Sequence, residues 1–418
     1  MSEKFDIVVV GGGVCGSFSA LTAAKLGAKV VVCEEHGKIG VPQHCAGLVS
    51  ISGLKRVGLN LPKKIVENEI KGAVFYSPRG KEFAVGRASS VACVLNRQLL
   101  DKHLADLAER AGVQFLLRSR AESLIVDSNF VRGIIVRRKG ARETLESSLV
   151  IDAEGCSSTL LKKAGLQTLD RSMVVHAIQA EVDRVKKVDM DKVDVYLGRK
   201  YAPDFFAWII PKRDGSAKIG LATTIGDPRE YLNRFMQSHP IASKKLANSK
   251  VTTLSLHPIP LGGAIPKTYW NGLLVVGDAA SQVKPTTGGG IVFGLLCSEI
   301  AGKVAYDALK SNNFSARFLS QYQSRWRKLV GFDLAAMRQV RKMLNRLPDN
   351  KVDKIIGLCS KLGANRFLEE VGDLDFQGKS LIRAIQYPTV LLIVFYSIFS
   401  SFISPDSPRN APAAANYI

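Results

Sequence analysis

Residues 7 to 34 restrict the possible folds more than any other stretch of the chain. Ile7-Val8-Val9-Val10 is a continuous β-branched run, the pattern of a strand buried on both faces in a parallel sheet. Gly11-Gly12-Gly13-Val14-Cys15-Gly16 follows at once. A helical stretch, Ser17 to Leu26, comes next and is stopped by Gly27, and a second apolar run, Val30 to Cys33, closes on Glu34. Strand, G-x-G-x-x-G, helix, strand and terminal acid together form the context in which these glycines hold a dinucleotide. Gly11 makes the turn, Gly13 admits a pyrophosphate at the helix N-terminus, and Gly16 lets the helix pack on the strand, with Cys15 in the same turn. Glu34, eighteen residues past Gly16, is placed to accept hydrogen bonds from an adenosine ribose. The fingerprint alone does not separate NAD from FAD.

A late segment separates them. Leu273 to Val276 reads as a buried strand and Ile291 to Ala301 as an apolar helix; between them lie Gly277-Asp278, Pro285 and the triplet Gly288-Gly289-Gly290. Glycine triplets lose much backbone entropy on folding and are kept where backbone approaches something closely. No second G-x-G-x-x-G opens a second nucleotide unit, so this segment returns to the first one. An acid at a strand end accepts from a chain of hydroxyls, and glycine amides at a helix start donate to an electron-rich ring edge. Ribityl and isoalloxazine ask for those two things together, which points to FAD.

With these residues in view, the sequence resembles FAD enzymes of the para-hydroxybenzoate hydroxylase fold, and within them the geranylgeranyl reductase family. Gly277-Asp278 matches the late G-D mark, and Asp152-Ala153-Glu154-Gly155 stands at the central D-G mark with Glu154 in place of Asp. Pro42-Gln43-His44-Cys45-Ala46-Gly47 resembles the family's P-x-x-C-x-G segment. Pro203 to Pro211 resembles its P-x-x-Y-x-W-x-F-P motif, with Phe206 for Tyr and Ile210 for Phe. Lys284 to Ile291 is similar to the family's stretch beside the flavin.

The resemblance implies that Cys45, Ala46, Gly288, Gly289, Gly290 and Ile291 lie at the cofactor, and that Arg97 lies near the FAD phosphates. It further implies that Phe206, Trp208, Ile210 and Pro211 wall the substrate site, and that Cys45 is a candidate catalytic residue. Read without the resemblance, Arg97 is equally an ordinary helix-start residue, the aromatic run an ordinary core sheet, and Cys45 a small buried residue; His44 beside it makes a poor metal chelate, and no metal site is expected.

The implied chemistry is hydride transfer from reduced FAD to an isoprenoid carbon–carbon double bond of archaeal-type membrane lipids, completed by a proton from Cys45 or water. The electron donor is open between NAD(P)H and ferredoxin. An aromatic monooxygenase or halogenase of the same fold is the rival.

Charge and composition add context. The chain carries 58 Lys and Arg against 37 Asp and Glu, a net +21, which suits an anionic surface. No nucleic-acid-binding signature accompanies the charge, so a membrane is the expected partner, with an electron-donor protein besides and a monomeric chain. Seven scattered cysteines without a C-x-x-C pair fit a reducing cytoplasm, as does a charged N-terminus without an apolar signal core. Between 317 and 346, eight basic residues surround Phe318, Tyr322, Trp326 and Leu329 at helical spacing, either a lipid-contacting helix or a helix laid over the core. Tyr387 to Ile403 runs seventeen residues without a charge, short for a membrane span and equally suited to a core helix.

The expected fold is α/β: a Rossmann-like FAD-binding domain (1–75, 90–165, 262–312) interleaved with an antiparallel-sheet substrate domain (76–89, 166–261). A helical C-terminal region (313–403) and a flexible tail (404–418) follow.

Overall fold

The structure, a computed structural model, describes residues 4–384 and 386–403; the tail expected at 404–418 lies outside the described residues. The architecture is mixed α/β, with two large sheets and a helical C-terminal region.

The apolar runs read as buried strands form the centre of the first sheet. Along its main path the order is Tyr269–Trp270, Leu273–Val275, Ala141–Asp152, Phe5–Val10, Val30–Cys33 and Gln114–Leu116, parallel except for the first pair; off that path Phe130–Arg138 pairs antiparallel with Ala141–Asp152 and with Ser119–Asp127. Parallel strands buried on both faces need no alternation, and Ile7, Val8, Val9 and Val30 to Val32 are accordingly at most 1% exposed. Helices Val14–Lys25 and Ile291–Lys310 pack against each other on one face. Val10 lies in register with Asp152 and Cys33, so the early glycine turn and the central Asp152–Gly155 segment leave the sheet at the same edge. The late Gly277 loop leaves from Leu273–Val275 beside them, and ligands of α/β sheets bind at these carboxyl ends.

The second sheet has seven strands, ordered Val251–Pro260, Val174–Val182, Ala217–Thr223, Phe206–Pro211, Lys192–Leu197, Gly72–Tyr76 and Glu82–Gly86. It takes in Gly72 onward, so the expected break at 75 falls inside a strand. Alternation fixes which side chains face which way. Ala207 and Ile209 join Tyr196, Ile219 and Leu221 in a core on one side; Trp208 and Ile210 join Val193 and Phe205 on the other, with Phe206 packed against them.

The C-terminal region runs through helices Ala316–Trp326, Phe332–Leu344, Asp349–Lys361, Asn365–Val371, Gln377–Ala384 and Pro388–Ile403, with a π-helical turn at Arg327–Gly331. Tyr322 and Trp326 are buried in the main core, with Phe318 and Leu329 packed against it, so this aromatic stripe seats the helices on the protein. Among the described residues no helix is long and apolar enough to cross a membrane. The final helix is also no core helix: Ile393 is 8% exposed, whereas Leu392 and Phe395 are 61% and 65% exposed.

Candidate active site

The early turn is closed by contacts only glycine allows. A Cβ at Gly16 would lie 1.8 Å from the Gly11 carbonyl oxygen, and Gly11 itself turns at φ +93°. A side chain at Gly13, by contrast, would meet nothing within 4 Å. That turn faces open space at the start of helix Val14–Lys25, which has no side-chain cap. Uncapped N–H groups at a helix start accept phosphate oxygens as partners, so the residues fit a dinucleotide pyrophosphate. Glu34 braces the turn: Oε2 accepts from the Gly12 N–H at 2.8 Å and Oε1 from the His36 N–H at 2.9 Å.

The late loop closes on this turn. The Cys15 sulfur packs against Gly277 and Gly294. Burial, aided by the Asp278 carboxylate, pushes the Cys15 thiol to about 12, so it stays protonated and serves as packing. Cys156 Sγ donates to the Pro258 carbonyl at 3.2 Å and to Asp278 Oδ2 at 3.7 Å. Burial raises the Asp278 carboxyl, and the Arg97 guanidinium works in the opposite direction. Arg97 donates to Asp101 through Nε at 3.1 Å and Nη2 at 2.9 Å. Burial opposes its charge, but Asp101 and the Cys45 sulfur prevail and hold Arg97 above its ordinary range. Glu154 acts locally. Its two oxygens accept from Thr159 N, Leu160 N and Ser157 Oγ, capping the short helix Thr159–Lys163.

One cavity of about 930 Å³ unites most of the expected residues. Gly13, Cys15, Gly16, Cys45, Ala46, Arg97, Asp278, Gly288, Gly289, Gly290 and Ile291 line it at one end. Phe206, Trp208 and Ile210 line it from the second sheet. Gly11, Glu34 and Gly277 support the turns and do not line it. Pro211 is a correction: it shares strand parity with Ala207 and Ile209, outside the lining, and its carbonyl accepts from Asn68 Nδ2 at 3.0 Å.

The family of FAD binding domains matches residues 4–295. A digeranylgeranylglycerophospholipid reductase of Methanothermobacter thermautotrophicus is 36% identical over 398 residues, covering 94% of this chain and 99% of the relative. The chain belongs to the geranylgeranyl reductase family of FAD-dependent oxidoreductases. A geranylgeranyl bacteriochlorophyll reductase-like protein from Thermoplasma acidophilum superposes with a TM-score of 0.85 at 28% identity, covering 95% of this chain and all of that one. The myxobacterial chondrochloren halogenase has the same fold, with a TM-score of 0.67 at 18% identity over 95% of this chain and 97% of its own.

As a geranylgeranyl reductase family member, the protein builds its site from more residues than the motifs name. The cavity continues between the second sheet and the C-terminal helices, where Ala73, Phe75, Val85 and Leu197 face Val352, Ile355, Phe367 and Leu368. Two polar atoms interrupt its apolar floor: Gln179 Oε1 and Trp208 Nε1 are buried without a hydrogen-bond partner among the described residues. The loop at 284–290 is held from far down the chain. Lys284 Nζ pairs with Asp375 Oδ1 at 2.8 Å, Asp375 also binds the Ser50 hydroxyl, and Arg341 donates to the Pro285 and Thr286 carbonyls.

His44 and His257 also line the cavity, their rings stacked at 4.9 Å and 14°. His257, Cys156 and Asp278 bring their donor atoms within 4.8 Å of one another. Burial lowers His44 to about 4, helped by His257, His36 and Arg97; burial and Arg97 lower His257 to about 4. The unfolded chain takes up these protons near the ordinary value of 6.5, the folded chain near 4. Stability is therefore full above the upper value and is lost as pH falls through this window. Denaturant midpoints measured on both sides of the window should fall with acidification, and His44→Gln with His257→Gln should flatten the slope. His239, lowered to about 4 by its own burial, accounts for a remaining part of that slope. A double variant as acid-sensitive as the parent would refute the buried neutral pair.

Proposed function

We propose that this protein hydrogenates carbon–carbon double bonds of geranylgeranyl chains in an archaeal-type membrane lipid, acting at the cytoplasmic membrane surface. The observation that carries this reading is the single cavity: it starts at the nucleotide turn and continues, without a break, into an apolar chamber. The names of the digeranylgeranylglycerophospholipid reductases support the lipid. Bound FAD supplies the hydride equivalent in this chemistry. The protein's own part is to hold the chain against Phe206, Trp208 and Ile210, to exclude water, and to keep a proton at hand. Cys45 is the proposed donor: its sulfur accepts from the Gly47 N–H at 3.4 Å and lies against the Arg97 guanidinium. Electrons come from outside, from a nicotinamide or a ferredoxin, since the chain carries no second nucleotide fingerprint. The functional unit is a monomer.

Photoreduced protein mixed anaerobically with geranylgeranyl lipid should reoxidise its flavin while the lipid gains mass in steps of two hydrogens. Cys45→Ala should slow reoxidation about a hundredfold with the flavin spectrum retained. An unchanged rate would hand the proton to water. Failure of anaerobic reoxidation, with oxygenation of a phenol in air, would replace this reading with a monooxygenase.

A further inference from the structure

The final helix, Pro388–Ile403, is mostly apolar and carries no charged residue; its polar side chains are Thr389, Tyr396 and three serines. Such a helix is ordinarily enclosed on all sides or embedded in lipid. Here the protein covers one side. Ile393 and Ser397, one turn apart, are 8% and 6% exposed; Ile393 joins Ile356 and Phe83 in a small core, and Ser397 lines the chamber. On the other side, Leu392, Phe395 and Ile398 recur at three-residue spacing and are 61%, 65% and 38% exposed. Leu392 and Phe395 are the most exposed large hydrophobic side chains among the described residues. A single helix therefore separates the chamber from an apolar stripe that no described residue covers.

Three further observations bear on what covers the stripe. The helix has 16 described residues, too few to cross a bilayer and suited to lying in its surface plane. Beside it, Lys351 Nζ lies 5.7 Å from the Tyr396 ring, a cation and an amphipathic aromatic together, as favoured at the headgroup level. The net charge of +21 favours an anionic surface over a second copy of the same basic chain.

We propose that helix Pro388–Ile403 lies in the interface of an anionic lipid bilayer and is the wall past which the substrate chain enters the chamber. This rests on the lipid-reductase reading for its substrate; binding to the bilayer is scored separately. Leu392 and Phe395 do not line the chamber, so Leu392→Ser with Phe395→Ser leaves the cofactor and substrate contacts intact.

Full-length protein is centrifuged with phosphatidylglycerol–phosphatidylcholine vesicles. The double variant should partition at least about tenfold more weakly than the parent. It should keep its flavin, its melting temperature and its reduction of detergent-dispersed geranylgeranyl lipid, while losing reduction of the same lipid in vesicles. Lys351→Glu should weaken binding to the anionic vesicles and leave binding to pure phosphatidylcholine unchanged. Equal vesicle binding by parent and double variant would overturn the proposal. So would a parent dimer that the double variant dissociates, since a second copy would then cover the stripe. Vesicle binding without any reduction would instead reject the assigned chemistry and leave the membrane face standing.

Discussion

Gly16→Val should give a colourless protein that FAD does not reconstitute. Even a methyl group at this position would sit 1.8 Å from the Gly11 carbonyl oxygen, and the obstacle is backbone that cannot swing aside. Relief requires the helix Val14–Lys25 to move off the strand Phe5–Val10, which carries the Gly13 turn away from its place. Both elements sit in the main core, with Val9 at 0% and Phe18 at 7% exposure, so such movement also opens packed apolar contacts. A penalty of about 4 kcal/mol or more corresponds to roughly a thousandfold loss of FAD affinity. Flavin absorbance after purification and titration with free FAD measure it. A yellow Gly16→Val protein with parental affinity would mean that the turn is not where the pyrophosphate is held. Gly13→Ala makes a sharper companion, because its methyl group meets no protein atom, so any loss of affinity there reports on the ligand alone.

Ala73→Trp should abolish reduction of the long lipid while leaving a fully flavinated enzyme. Ala73 sits in the strand Gly72–Tyr76, in register with Val193 and Val85, and all three line the chamber. An indole there projects into space a chain would occupy, from a sheet too well braced to recoil. The expected result is a fall in kcat/KM of about a hundredfold for geranylgeranyl lipid, equivalent to about 2.7 kcal/mol. Photoreduction of the flavin and its reoxidation by oxygen should match the parent, showing that the cofactor end is untouched. Normal turnover of the long lipid by Ala73→Trp would remove the chamber from the mechanism. A short prenyl substrate reduced at the parental rate would instead show that only the far arm is blocked.

These two positions illustrate how far the chain alone is legible. Gly16 can be read because its reason is local: a strand, a turn and a helix within a few residues dictate both the spacing and the absence of a side chain. The same holds for Asp278 and Gly288 to Gly290, whose strand and helix flank them directly. Phe206, Trp208 and Ile210 are reachable through strand alternation and the resemblance together. Pro211 is not, because the resemblance places it at the site while alternation turns it to the other face.

Ala73 cannot be found from sequence, since nothing in Gly72-Ala73-Val74 says that Val193 will lie opposite. The same is true of His257, which reaches His44 across 213 positions only through the folded second sheet. The far arm of the chamber is hidden for a related reason: Val352, Ile355 and Phe367 belong to helices that look like any amphipathic helix until their partners are known. The last helix defeats both readings offered for it, because a sequence window registers how apolar a segment is and not how much of its surface the rest of the chain will cover.

The contacts of Asp375 have a consequence for how the enzyme is made. That carboxylate grips Ser50 and Lys284, residues 325 and 91 positions upstream, and the second lies in the loop that lines the cavity beside the glycine turn. During synthesis, the early segments leave the ribosome long before the residue that fastens them. A nascent chain stopped short of Asp375 keeps the Arg341 bonds to that loop but lacks the carboxylate that ties Lys284 to Ser50, so this link across the crevice closes only late in translation.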